Sequence, residues 1–570
     1  MKQLSGMDNL FLAMDQGHQH LHVAGLGIYD PSTAPGGKVR FKSILNFFVN
    51  RLNASKVFRR RLVCVPQDLD RPYWVEDGEI DVEYHVRHIA LPQPGDWRQL
   101  MIQVARLHSR PLDMTKPLWE AYIIEGLDNI PGIPPGSFAV YTKFHHAAVD
   151  GEAGAVIIRA LHALSPGEGL EEAADTSVKI ADRDPNAIEL YARTIGSRAR
   201  QAADASRLML LLGSRIATFG KDLIASGGAA ELAKSLLARL GQRKPEAGEG
   251  GNDLPGRKPL TRFDHLVSAH RVVDAVGFPL ADCKTIRQNV PDVTINDIFM
   301  AACGGAVRAY LEAKGELPKK TLNAMMPMTT RGEVKDADAG NQIGMTTMPL
   351  RTDVADPIER LLAVRRGSGK SKALTAALGK DLPARLIQVL PAVASKLLIK
   401  QGIVALSNVT VSNVRGPDIP LYMAGARLVL YLPISIAFDN LGLNITGFSY
   451  HGTLWVCFVS CRKMMPDPGV FADCLKKSFG ELVQAAVAHG TTKIPPARAW
   501  KAAAATRPKA GEAEMPMPKA RKTAPKAKKT TPKARKTAPK SKKTAPKAKK
   551  TVPKAKKTTP KATRRRAVKS

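Results

Sequence analysis

Cysteine is scarce in this chain. Six thiols in 570 residues (Cys64, Cys283, Cys303, Cys457, Cys461 and Cys474) are scattered with no paired spacing. That excludes a disulfide-stapled scaffold and points to a reducing compartment. Cys457 and Cys461 stand four apart in a strand-like segment, but no further ligand-type residue clusters with them, so they read as core thiols. Long apolar runs are missing as well. Nothing approaches the roughly 20 consecutive apolar residues that span a bilayer; Leu208 to Leu212 is soon broken by Gly213 and Arg215. The opening MKQLSGMDNLFLAMDQ lacks the charged-then-apolar order of a signal peptide. A soluble or peripheral, cytoplasmic protein is expected.

What is present is charge, unevenly spread. The formal net charge is +34; from Lys501 onward there are 26 Lys+Arg and 2 Asp+Glu, against 59 and 49 before it. From Lys522 a heptad-length unit repeats as KTAPKAK, KTTPKAR, KTAPKSK, with proline in every copy. Proline blocks a continuous helix and there is almost nothing apolar to bury, so the tail is expected to be disordered. It resembles the tail of linker histones. Its lysines suit a polyanion, either nucleic acid or anionic lipid. From Lys501 onward it contains no aromatic residue for base stacking, so any such binding would be independent of sequence.

At this length two domains plus extras are expected, with 44% hydrophobic residues to fill them. The reading is residues 1–185 as a first α/β domain, 186–258 as a helical crossover and loop, 259–495 as a second α/β domain, and 496–570 as the tail. Helical spacing is expected over Ile44 to Leu52, Trp97 to Leu107, Ile298 to Leu311 and Phe471 to Val487. Ala187 to about Leu240 is rich in Ala, Leu, Arg and Lys at helical spacing; its apolar-plus-basic face suits interdomain packing or a membrane surface. His18, His20 and His22 alternate along an expected strand from Gly17 to Ile28. They would share one face, but no carboxylate or cysteine accompanies them, so no metal site is expected.

The chemistry concentrates in SFAVYTKFHHAAVDG, Ser137 to Gly151. Phe138, Val140, Thr142 and Phe144 alternate with Ala139, Tyr141 and Lys143, the period of a strand covered on both faces. The strand runs into His145-His146-Ala-Ala-Val-Asp150-Gly151 and then a helical pattern. A strand-turn-helix junction fixes the backbone while opening a side chain to a cleft. An imidazole there can take a proton from a hydroxyl or thiol if a second group holds its tautomer. Asp150 is either that direct partner or an anchor of the loop.

HHxxxDG is the signature of the CoA-dependent acyltransferase superfamily, which includes chloramphenicol acetyltransferase and peptide-synthetase condensation domains. The blocks LSGMDNLFL from Leu4, RPYWVED from Arg71, RPLDMTKPLWE from Arg110, TINDIFMAACGGAVRAYL from Thr294, MPMTTRGE from Met326, VSNVRGPDIPLYMAGARL from Val411 and LNITGFSYHGTLWV from Leu443 more closely resemble one branch, the bacterial wax ester synthase/diacylglycerol acyltransferases. The resemblance implies an α/β fold of two chloramphenicol-acetyltransferase-like domains, a pseudo-dimer with an interdomain tunnel. It implies transfer of a long-chain acyl group from acyl-CoA, as substrate and with no cofactor, to diacylglycerol or a long-chain alcohol. His146 would be the base, His145 a supporting residue, Asp150 and Gly151 the keepers of the loop, and Asn296 a donor to the reacting oxygen. Pro117, Leu118 and Trp119 would be structural or channel-lining, and Asp297, Asn413, Gly416 and Pro417 structural. Asn296 or Asp297 could also simply cap the helix that follows them. Where relatives commonly have Asn-Val-Pro-Gly-Pro this chain has Arg415 in the third place. Peripheral contact with the inner membrane or a lipid inclusion would bring the enzyme to its acceptor. The rival reading is a polyanion-binding or granule-organising protein with a degenerate enzyme core.

Overall fold

The computed structural model describes residues 1–78, 80–149, 157–168, 182–225, 258–329, 343–378 and 382–493. Two six-stranded mixed sheets carry the architecture. The first has the order β12-β13-β2-β7-β6-β5 and the second β10-β9-β11-β14-β15-β8. In the first, β2 (His22–Asp30), β5 (Val86–Ala90), β6 (Trp119–Glu125) and β7 (Phe138–His145) come from the start of the chain. In the second are β8 (Arg271–Pro279), β9 (Asn323–Thr329), β10 (Ile343–Pro349), β11 (Val409–Arg415), β14 (Asn444–Tyr450) and β15 (Thr453–Cys461). A small antiparallel sheet joins β1 (Lys2–Gln3), β4 (Tyr73–Glu76) and β3 (Arg60–Val63).

β12 (Tyr422–Met423) and β13 (Ala426–Ile434) leave the second half of the chain and complete the first sheet, with β13 antiparallel to β2. A division of the chain at residue 258 gives no sign of this exchange. Its physical reason lies in β13 itself: Leu428, Leu430, Leu432 and Ile434 are buried at alternate positions, and β2 is buried along most of its length. Strand β2 therefore needs a partner on its outer side. Leu430, Leu432 and Ile434 then share one core with Leu26 and Ile28 of β2 and with Val456 and Phe458 of β15.

The expected helices form as Phe41–Arg51, Trp97–His108, Ile295–Ala313 and Pro468–Lys493. In Ile295–Ala313 the small residues serve close approach: a Cβ on Gly304 would lie 2.1 Å from the Leu350 carbonyl oxygen. The N-cap of that helix is Thr294, not Asn296 or Asp297. Thr294 accepts from the Asp297 amide while the Asp297 carboxylate accepts from the Thr294 amide, a capping box that leaves Asn296 unused. The long helix Ala187–Ala225 lies where the crossover is expected. All six cysteines are free, and Cys283, Cys303, Cys457 and Cys461 are buried.

Buried neutral histidines give the fold an acid limit. Burial holds His108 down to about 3 and His162 to about 4 from an ordinary 6.5, and also lowers His22 and His85. The unfolded chain takes up these protons near pH 6.5 whereas the folded chain does not, so stability is complete above that value and falls as pH drops toward 4. Each such site contributes about 1.4 kcal/mol per pH unit, so His108 and His162 together remove on the order of 5 kcal/mol by pH 4.5. Calorimetric melting from pH 7.5 to 4.5 should show a steep fall in Tm; a flat profile would contradict the neutral assignment.

Candidate active site

β7 is buried from Phe138 to His145 and is held on both sides, by β2 in antiparallel register (His22 opposite His145) and by β6 (Trp119 opposite Phe144). At its end the His145 amide donates to the Leu118 carbonyl at 3.0 Å and the His146 amide to the Leu21 carbonyl at 2.8 Å. Pro117, Leu118 and Trp119 thus brace the histidine strand. Trp119 is buried, stacks on His85 with centroids 4.4 Å apart, and donates from Nε1 to the Phe58 carbonyl at 3.0 Å. Its place is structural packing.

The two adjacent histidines differ sharply. His145 is fully buried. Its Nδ1 accepts the Ala147 amide at 3.0 Å and its Nε2 meets Asp15 Oδ2 at 3.1 Å. One nitrogen accepting fixes the proton on the other, so Nε2–H donates to the carboxylate. His146 is partly exposed, and its ring lies flat on Phe11 with centroids 4.1 Å apart. Asp150 and Gly151 lie outside the described residues, as does the alternative that Asp150 partners His146.

Asp15 was not singled out by sequence. It caps the C-terminus of the helix Gly6–Met14, within the same opening block that supplies Phe11. Burial alone would raise its carboxyl, but hydrogen bonds from His145, His20 and the Leu21 amide outweigh that and hold it well below the usual carboxylate range. The only sequence signal is its place at the end of a conspicuous N-terminal block; nothing in its spacing ties it to residue 145. The helix is seated from the other half of the chain, with the Gly6 amide donating to Gln388 Oε1 at 2.6 Å.

A second group forms on the second sheet. Asn296, partly exposed in the first turn of Ile295–Ala313, accepts from Asn413 Nδ2 at 3.5 Å. That arrangement leaves the Asn296 amide nitrogen available as a donor. Asn413 sits on β11 opposite Gly447 of β14. Asp297 is buried in its capping box. β11 ends at Arg415, where Gly416 and Pro417 turn the chain; a Cβ on Gly416 would lie 2.2 Å from the Ser449 carbonyl oxygen, so the position admits only glycine without a shift. Arg415 is exposed and pairs with Asp418 at 3.2 Å. The two groups are joined by one core: Phe144, Ala147 and Val149 around the histidine turn pack in the same cluster as Met325, Phe448 and Tyr450 of the second sheet.

Two mixed sheets with a histidine pair at the end of a central strand, one ring fully buried and the other partly exposed, fit the CoA-dependent acyltransferase class. Residues 4–299 match the wax ester synthase/diacylglycerol acyltransferase catalytic domain, and residues 339–483 match the WS/DGAT C-terminal domain. The chain belongs to the wax ester synthase/diacylglycerol acyltransferase family. It is 32% identical over 478 residues to O-acyltransferase WSD of Acinetobacter baylyi, covering 82% of this chain and 93% of that protein. It is 32% identical over 485 residues, 85% of this chain and 99% of the relative, to a Mycobacterium tuberculosis protein named as a diacylglycerol O-acyltransferase. Among solved structures it is similar to the wax ester synthase/diacylglycerol acyltransferase from Marinobacter aquaeolei VT8, with a TM-score of 0.59, 25% identity, and coverage of 85% of this chain and 100% of that one.

Proposed function

We propose that this chain transfers a long-chain acyl group from acyl-CoA to the hydroxyl of diacylglycerol or of a long-chain alcohol, with His146 as the base. The observation that carries the reading is the contrast between the two histidines, His145 buried and doubly hydrogen-bonded, His146 partly exposed at a rigid turn. The acceptor oxygen attacks the thioester carbonyl as His146 takes its proton. The tetrahedral oxyanion is stabilised by the Asn296 amide, a donor that does not itself titrate. Collapse expels the CoA thiolate, which takes the proton back from the imidazolium. Both substrates are bound at once, in a tunnel between the two sheets, and no residue is acylated. Asp150 and Gly151 keep the loop in place. Labelled palmitoyl-CoA offered diacylglycerol and hexadecanol separately tests this; no ester with either acceptor would overturn it.

Asp15 acts in this scheme as a positioning residue, through His145 and the Ala147 amide. A displacement of the order of 1 Å at a reacting group can cost about 100-fold in rate. Asp15→Asn should therefore lower kcat by roughly 10- to 100-fold with little change in KM for acyl-CoA, and Asp15→Glu should recover part of it. A proportional rise in KM with kcat unchanged would contradict the assignment.

Peripheral membrane contact is supported by the helix Ala187–Ala225. Leu190, Thr194, Ser197 and Leu208 are buried, while Ile188, Ile195, Met209 and Leu210 are exposed on the opposite face. The exposed stripe suits the surface of a bilayer or lipid inclusion, and no helix among the described residues is long and apolar enough to cross one. The basic tail, outside the described residues, would add sequence-independent attraction to anionic lipid or nucleic acid.

A further inference from the structure

The chain reverses tightly after its first helix. Gln16 and Gln19 bridge across a turn in which Gly17 takes φ 61°, and β2 begins only at His22. The three alternating histidines therefore do not share one strand face: His18 is exposed on the turn, while His20 and His22 come back against Asp15. The carboxylate that the sequence spacing lacks is supplied by the fold.

We propose that Asp15, His20 and His22 form a binding site for a divalent transition-metal ion of the zinc type. One donor atom from each lies within 4.8 Å of the others. His20 Nδ1 is 3.2 Å from Asp15 Oδ1, and His22 Nε2 is 4.0 Å from Asp15 Oδ2. The two imidazoles are stacked nearly parallel, 5.4 Å apart at 8°. An ion about 2.0–2.1 Å from each ligand needs donors roughly 3.3 Å apart in tetrahedral geometry, so a donor set spread over as much as 4.8 Å closes by up to about 1.5 Å.

The independent sign is His22. It is 1% exposed, its Nδ1 has no hydrogen-bond partner, and its Nε2 is too far from Asp15 for a hydrogen bond. The nitrogen nearer Asp15 is Nε2, so an ion there takes the Nε2 lone pair and holds the ring proton on Nδ1. Two nitrogens and one carboxylate favour zinc over magnesium or calcium. The ion takes the lone pair of His20 Nδ1, so the ring proton shared there with Asp15 moves to Nε2. His145 keeps its own bond to Oδ2. A bound ion would thus fasten the first helix to β2 directly behind the histidine turn.

The test uses the full, tag-free chain stripped with chelator and titrated with Zn²⁺ by calorimetry. Co²⁺ replaces Zn²⁺ for an optical spectrum. One saturable site, a Tm rise of a few degrees in excess metal, and at least a tenfold loss of affinity in His20→Asn with none in His18→Asn are expected. Absence of saturable 1:1 binding, or unchanged affinity in both His20→Asn and His22→Asn variants that melt like the parent without metal, would overturn the site. None of these readouts depends on turnover, so failure here leaves the acyl-transfer reading untouched.

Discussion

Replacing His146 by alanine should lower acyl transfer by about 10²- to 10⁴-fold, the usual contribution of a positioned general base, while leaving Tm within about 1 °C of the parent. The His146 backbone is held by the Leu21 carbonyl and by the turn that follows, and its side chain is only partly covered, against Phe11. The neighbouring substitution His145→Ala should behave differently. It removes the acceptor of the Ala147 amide and leaves Asp15 without its buried donor, so both stability and rate should fall. Measuring kcat and Tm for the two variants side by side separates the roles; equal losses of stability in both would contradict them.

The second large effect concerns Lys143, two positions before the histidine pair in the strand and fully buried. Its ammonium group meets Glu120 Oε2 at 3.1 Å and donates to the carbonyls of Leu107 at 3.3 Å and Arg110 at 3.1 Å. Burial pulls the lysine below its ordinary value despite the opposing pull of Glu120. Removing one partner of such a pair leaves an uncompensated buried charge, typically a loss of about 3–5 kcal/mol. Glu120→Ala should therefore lower Tm by roughly 10 °C. The double variant Glu120→Gln/Lys143→Met should recover most of that, since neutralising both charges removes the cost of burying them. Failure of the double variant to recover would mean that Glu120 acts chiefly through Arg87 at 3.6 Å and the Tyr122 hydroxyl at 3.1 Å.

Local pattern made much of this legible. The alternation from Phe138 to Phe144 marks β7, and the histidines fall at its end because the alternation stops there. Helices at Trp97–His108 and Ile295–Ala313 follow from apolar spacing, and the packing of Trp119 from its size. What periodicity does not carry is partnership across the chain. The transfer of β13 to the first sheet depends on which edge is open, and a strand's own residues do not state that. The approach of Asp15 to His145 spans 130 positions and depends on a turn at Gln16–Gln19 that interrupts what reads as a continuous strand of alternating histidines. The cap of Ile295–Ala313 was displaced by two residues because Thr294 and Asp297 satisfy each other, freeing Asn296 to meet Asn413 instead.

The difference in access between the two imidazoles can be read directly by carbethoxylation with diethyl pyrocarbonate, mapped by mass spectrometry and followed by activity. His146 should be modified in step with loss of transfer, and a non-hydrolysable acyl-CoA analogue should protect it, while His145 stays unmodified in the folded protein. Full turnover with His146 modified, or modification of His145 ahead of it, would contradict the account.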